Sequence, residues 1–303
     1  MTLAIHPGPL MRERTTLRLG GRALAEIKVF SAEGLLRLPK ELARLGGAPF
    51  VLGRGSNVLA RDGELPVVLV RPVMRSVGRG SGSWELVRED GNGVLVCVAA
   101  GTPLPGLVRS FCERGWSGME GMAGIPGSLG GAVAMNAGSF GSETAQVLRK
   151  VHVFTPGRGL RWVGSADYET GYRRFRLKEQ AEFFVVAAAE LELARTKPEV
   201  TMARMRESMA KKKATQPIKA WSAGSAFKNP GPGVSAGRLL DEAGLRGFKL
   251  GGMAFSGMHA NFLVNLGQGT ADQALELIDL AKDKVREMSG HDLELEVRLC
   301  PCS

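Results

Sequence analysis

The run Gly121-Met-Ala-Gly124-Ile-Pro126-Gly127-Ser128-Leu-Gly130-Gly131-Ala-Val-Ala-Met-Asn136-Ala-Gly138 constrains this chain more than any other stretch. Glycine loses more backbone freedom on folding than any other residue, so a regular helix or strand would not be built this way. Such a run suits a backbone that must pass close to something bulky with its amides turned towards it. A second run, Val51-Leu-Gly53-Arg54-Gly55-Ser56-Asn57-Val-Leu59, has the same character and lies between two apolar, strand-like segments. Successive N–H groups in a glycine-bearing loop form a concave anion site. Together the two runs predict a two-loop clamp on a large, phosphorylated ligand.

The remaining composition narrows the class. A chain of 303 residues, 44% hydrophobic, can bury a substantial core in one large domain or two modest ones. Its 41 glycines are about twice the usual share and follow no three-residue period, which places them in loops. No apolar run approaches the roughly 20 residues of a membrane helix, and the start Met1-Thr-Leu-Ala-Ile-His-Pro7 lacks the order of a signal peptide, so a cytoplasmic protein is expected. Cys97, Cys112, Cys300 and Cys302 and the scattered His6, His152, His259 and His291 have no metal-ligand spacing. Reduced thiols and no metal site are expected. The net charge of +10 admits a nucleic-acid binder or an enzyme of polyanionic ligands. No aromatic residue interleaves with Lys211-Lys-Lys213, which argues against stacking on single strands.

Periodicity gives the order of elements. Ala25 to Phe30 alternates as a strand and a helix follows from Ser31. Phe50 to Leu52 and Pro66 to Val70 read as buried strands flanking the first glycine loop. Gly53-Arg-Gly55 begins like a dinucleotide fingerprint, yet lacks a third glycine and opens no helix, so a Rossmann fold is disfavoured. Trp84 to Arg88 and Val94 to Ala99 form a hairpin through Glu89-Asp-Gly-Asn92-Gly93. Thr102 is placed to cap a helix that Gly115 stops. Val151 to Phe154 and Glu182 to Leu193 read as strands, and Thr196-Lys-Pro198 as a domain boundary opening a Met- and Arg-rich helix. Beyond it come a short helix over Gly237 to Ala243, a strand over Ala260 to Asn265 and a long helix capped by Thr270 with Gln273 and ended by Gly290. Leu293 to Leu299 alternates as a closing strand. The whole is an α+β chain, with domains at 1–195 and 196–303.

Several motifs stand in one order: Thr16-Leu-Arg-Leu-Gly-Gly21, Gly53 to Leu59, Gly124 to Gly138, Gly171-Tyr172-Arg173, Gly224-Ser225-Ala-Phe-Lys228-Asn229-Pro230, His259-Ala-Asn261-Phe-Leu263 and Glu296-Val-Arg298. Over roughly residues 14–299 this resembles the UDP-N-acetylenolpyruvoylglucosamine reductase family. The resemblance implies a two-part FAD-binding domain of the vanillyl-alcohol-oxidase (PCMH) type, a smaller α+β substrate domain whose last strand returns towards the flavin, and NADPH as electron donor to a UDP-sugar. It implies Gly53, Arg54, Gly55, Ser56 and Asn57 at the pyrophosphate, and Gly124, Pro126, Gly127, Ser128, Gly130, Gly131 and Asn136 nearer the ribityl chain and ring. Arg173, Ser225 and Glu296 match the catalytic set, and Tyr172, Lys228, Asn229, Arg246 and Asn261 are implied near the substrate.

The chemistry of that set can be argued from the residue types. Hydride addition to C3 of an enolpyruvyl double bond leaves negative charge at C2, delocalised into the adjoining carboxylate. Arg173 offers a permanent planar cation for two carboxylate oxygens. Glu296, if held protonated, donates to the same oxygens. Ser225 can protonate C2 when correctly placed, because a carbanion is basic enough to take a hydroxyl proton. Arg174 is a rival to Arg173, since Tyr172-Arg-Arg-Phe175-Arg-Leu177-Lys178 departs from the family's usual run. Tyr168 and Tyr172 are the sole tyrosines, so the chain resembles the shorter class without a substrate-covering loop tyrosine. Two other readings fit part of the sequence: a related FAD oxidase, which would not need the C-terminal motifs, and a basic RNA-binding protein, which leaves the glycine loops unexplained.

Overall fold

The computed structural model describes residues 1–74, 82–91 and 93–301. Cys302 and the turn residue Asn92 lie outside them. The chain divides into two compact units, each discontinuous in sequence. The first comprises residues 1–6, 25–54 and 68–211, and the second residues 7–24, 55–67 and 212–303. The expected division at 195/196 therefore differs from the one observed. The helix Pro198–Thr215 carries the last crossing, and two short N-terminal segments belong with the C-terminal residues.

The first unit is built on a six-stranded antiparallel sheet. Along it run Gly159–Val163, Leu148–Thr155, Val185–Arg195, Gly93–Ala99 and Trp84–Asp90, with Trp116–Ser117 pairing the far end of Val185–Arg195. Alternation puts Val94, Val96 and Val98 on one face, where they meet Leu104, Leu107, Val108 and Phe111 of the helix Leu104–Cys112. Each such buried side chain contributes about 1.5–3 kcal/mol of transfer free energy. Thr102 does not cap this helix. Its hydroxyl donates to the Ser83 carbonyl, and Pro103 stands at the cap position. A second sheet is ordered Leu3–Pro7, Arg22–Val29, Glu64–Pro72, Ala48–Val51. Within the first unit its Ile27, Val29, Val68 and Val70 pack with Leu35 and Leu38 of the helix Ala32–Leu45, and with Phe154 and Val185.

The second unit centres on an antiparallel sheet ordered Trp221–Ser225, Phe262–Asn265, Met253–Phe255, Lys249–Leu250. The helix Ala271–Ser289 lays Ala274, Leu277, Ile278, Ala281 and Val285 into the same core as Phe227, Leu240 and Phe255. The expected capping box is present, with Gln273 N–H donating to Thr270 Oγ1 at 3.2 Å, and Gly290 ends the helix at φ +71. The closing segment departs from expectation. Strand geometry begins only at Arg298–Cys300, which pairs in parallel with Val58–Ala60, while residues 293–297 run irregularly beside Ala226–Lys228. Alternation of apolar residues specifies faces, and it does not specify a partner strand.

Candidate functional site

In the first unit the large glycine run divides by purpose. Gly124 and Gly127 take φ +77 and +133, conformations that L side chains resist, and so steer the loop into the short helix Leu129–Ala134. Gly130 faces inwards, where a Cβ would lie 2.9 Å from that of Ala100, so contact with the residue that follows the strand Gly93–Ala99 accounts for this glycine. Gly131 and Pro126 are exposed. Ser128 starts the helix but its hydroxyl makes no cap bond, although the residue is buried. The first glycine run approaches this one: a Cβ built on Gly53 would stand 3.1 Å from Ser128 Oγ. The two glycine runs thus approach each other at this point, where a side chain on Gly53 would crowd the Ser128 hydroxyl.

Asn136 is buried at φ +45 and spends its amide inside the unit. Nδ2 donates to the Gly171 carbonyl at 2.9 Å and Oδ1 accepts from Ala145 N–H at 2.8 Å. It thereby ties the glycine run to the hairpin of Tyr168–Gly171 and Arg174–Leu177, whose tip is Tyr172-Arg173. Arg173 sits at φ +54 with its guanidinium 5.2 Å from the Tyr172 ring centroid. A left-handed conformation costs an ordinary residue roughly 1–2 kcal/mol. Strain of this kind concentrates where a side chain must be presented. Arg174 is instead a strand residue paired with Gly171, which separates the two rival arginines by backbone.

In the second unit Ser225 and Glu296 lie on two neighbouring segments of chain. Ser225 pairs with Phe262 across a bulge, and among the described residues no hydrogen bond engages its hydroxyl. The next residue, Ala226, accepts from Glu296 N–H at 2.8 Å. Asn57 Nδ2 in turn donates to the Glu296 carbonyl at 3.0 Å, and Arg298 N–H donates to the Asn57 carbonyl at 3.1 Å. Thus a residue expected at the pyrophosphate also fixes the backbone of the expected acid. Glu296 is half-buried. Gly55, at φ +67, is required by packing, since a Cβ would lie 2.0 Å from the Arg14 carbonyl oxygen.

The residues expected near substrate fall into two groups. Asn261 is 4% exposed and bonds both N–H and C=O of Phe227, at 2.9 and 2.8 Å. Arg246 forks onto Asp241 and donates to the Met258 carbonyl at 3.0 Å, so it braces the loop before His259. Burial, reinforced by the charge of Arg246, pulls the His259 pKa below its ordinary value, and its Nδ1 accepts from Asn261 N–H at 3.2 Å. These residues shape the unit's interior and loops. Tyr172 and Asn229 are exposed, and the half-buried Lys228 pairs with Glu294. Sequence reasoning missed Thr16 and Ser222 as individual residues. Thr16 Oγ1 donates to the Ser222 carbonyl at 2.6 Å, and Ser222 Oγ accepts from Gly224 N–H at 3.1 Å. A serine two residues before a glycine is the available signal for such a turn.

Among the described residues, no cluster of His, Cys, Asp or Glu is arranged to hold a metal ion, and no helix is long and apolar enough to cross a membrane. Comparison with known proteins places these features. Residues 216–300 match the family model described as UDP-N-acetylenolpyruvoylglucosamine reductase, C-terminal domain, and residues 31–163 match an FAD binding domain. A UDP-N-acetylenolpyruvoylglucosamine reductase of Nitratidesulfovibrio vulgaris is 52% identical over 98% of this chain and 98% of its own length. The protein of the same description from Oleidesulfovibrio alaskensis is 48% identical over 99% of each. The crystal structure of the enzyme of Thermus caldophilus aligns with a TM-score of 0.80 at 36% identity, covering 98% of this chain and 99% of that one.

Proposed function

The chain belongs to the UDP-N-acetylenolpyruvoylglucosamine reductase family, and from that premise we propose how its own residues divide the chemistry. The reaction is the NADPH-dependent, FAD-mediated reduction of the enolpyruvyl group of UDP-N-acetylglucosamine-enolpyruvate to UDP-N-acetylmuramate, in peptidoglycan precursor synthesis. FAD, when bound, supplies the hydride that NADPH first delivers to it. In our reading Gly53, Arg54, Gly124, Gly127 and Ser128 hold the cofactor through backbone amides and short side chains, with Gly55, Ser56 and Asn57 continuing the first loop. The approach of Gly53 to Ser128 supports this assignment.

Arg173 takes the substrate carboxylate, where its fixed charge offsets the negative charge that grows there as C3 is reduced. Glu296 is the second group directed at those oxygens. Ser225 delivers the proton to C2, and its hydroxyl then recovers one from solvent. The single observation that carries this division is the backbone bond from Glu296 N–H to the Ala226 carbonyl, which sets the carboxyl-bearing residue beside the hydroxyl-bearing one. Tyr172, Lys228 and Asn229 contribute to recognition of the sugar diphosphate, a polyanion to which the net charge of +10 is suited. Asn261 and Arg246 act through the shape of the loop they hold. The free thiols of Cys97, Cys112 and Cys300 accord with a cytoplasmic setting.

Stopped-flow absorbance on the purified, flavin-loaded protein tests the reading in two steps. NADPH should bleach the yellow flavin, and UDP-N-acetylglucosamine-enolpyruvate should restore the colour with formation of UDP-N-acetylmuramate. A colourless protein that retains nucleic acid, or a flavin reoxidised by oxygen but not by the UDP-sugar, would overturn it.

A further inference from the structure

Resting on the role just proposed for Ser225, we infer that Ser222 is a positioning residue for that proton donor, braced in turn by Thr16. The register gives the reason. Ser222 pairs with Val264 and Ser225 with Phe262, so three steps on one strand oppose two on the other, and one extra residue is inserted. A bulge of this kind bends its strand and re-aims the next side chain, because strand side chains alternate and a one-residue shift turns them to the opposite face. Gly224 absorbs the bend at φ +83, and a Cβ there would meet nothing within 4 Å. The glycine is needed for its conformation alone. Its amide is turned out of the ladder by the same bend, and the Ser222 hydroxyl accepts it at 3.1 Å. That bond closes a turn on which the direction of Ser225 depends.

The turn is anchored as well as closed. Thr16 Oγ1 donates to the Ser222 carbonyl at 2.6 Å, while Thr16 N–H donates to the Gly55 carbonyl at 3.0 Å. A strut therefore runs from the first glycine loop through Thr16 to the bulge, all within the second unit. Nothing else on the bulge duplicates it in the described residues: Ala223 is a small core side chain and Gly224 has none. Without the hydroxyl at 222 the Gly224 amide loses its acceptor, and the bulge can relax towards regular pairing, which carries Ser225 out of line.

The test separates the two half-reactions of the flavin-loaded protein. In Ser222→Ala, reoxidation by the UDP-sugar should slow on the order of ten- to a hundred-fold, the sensitivity of chemistry to small displacements of a reacting group. Flavin reduction by NADPH should stay within about twofold of the parent, since that step uses no proton from Ser225. Ser222→Thr, which keeps the acceptor, should restore reoxidation. Amide hydrogen exchange at Gly224 should accelerate in Ser222→Ala and not in Ser222→Thr, with or without flavin. Thr16→Val against Thr16→Ser reads the strut from its other end, should Ser222→Ala fail to fold. Equal loss of both half-reactions, unchanged reoxidation, or unchanged Gly224 exchange would overturn the inference. Ser225→Ala run alongside distinguishes the levels: if it reoxidises normally, the proton-donor reading fails instead.

Discussion

Two bends of this molecule enter the same left-handed region of backbone space and resolve it oppositely. At the hairpin tip of the first unit, Arg173 itself adopts φ +54. At the bulge of the second, Gly224 adopts φ +83 and leaves its neighbour Ser225 in an ordinary conformation. The difference lies in which residue must point where. In the proposed reading the group that acts at the hairpin is on the bent residue, so the chain tolerates strain of roughly 1–2 kcal/mol to present a cation from the tip. At the bulge the bend serves only to aim the next side chain, and glycine supplies it without strain. Supports differ to match: the hairpin is held from below by the buried Asn136 amide, the bulge by the Ser222 hydroxyl.

The strongest attack on this contrast is at the aimed residue. Ser225→Ala should slow reoxidation of the flavin by the UDP-sugar by about 10²–10⁴-fold, the usual contribution of a positioned acid, and leave reduction by NADPH nearly intact in stopped-flow traces. Arg173→Gly comes next and should separate stability from activity. Reoxidation falls about a hundred-fold with loss of the cation, while chemical denaturation finds the fold unchanged or more stable by up to about 1 kcal/mol as strain is relieved. A clear loss of stability would show that Arg173 is not strained in the sense argued. Gly224→Ala must behave in the opposite way, losing about 1–2 kcal/mol of stability and about tenfold in reoxidation together, although space for the methyl is open. The smallest effect on reoxidation is expected of Asn136→Gly. It accepts φ +45 but deletes two hydrogen bonds, at a cost of about 1–3 kcal/mol in denaturant titration, with reoxidation reduced only a few-fold.

Burial adds a pH signature that these variants should not share. Lys212 is 3% exposed and burial pulls its pKa down to about 8 from 10.5. Between those values the unfolded chain holds the extra proton, so stability should rise as pH increases through that window and level off above it. Lys212→Met should flatten the rise in pH-dependent denaturation curves.

Much of the candidate site stands out in the sequence because its residues are chemically unusual for their surroundings. The glycine runs, the Gly-Ser-Ala-Phe segment and the capped helix Ala271–Ser289 all declare themselves through local pattern. The asparagines did not. Asn57, Asn136 and Asn261 carry one kind of side chain that can satisfy a ligand or a carbonyl equally well, and in this fold all three serve backbone. The positive φ of Arg173 was likewise hidden, since glycine is the usual signpost of such a conformation and none stands there.

The amino-acid order alone determined where the loops, caps and alternating segments lie and which faces must be buried, because propensity and periodicity act over a few neighbours. Only the tertiary structure decided that residues 7–24 and 55–67 join the C-terminal unit, and that Arg298–Cys300 pairs in parallel with Val58–Ala60. It also decided that one residue is inserted between Ser222 and Ser225. Those outcomes rest on long-range hydrogen bonds and close glycine contacts, whose partners are distant in sequence and leave no local pattern to read.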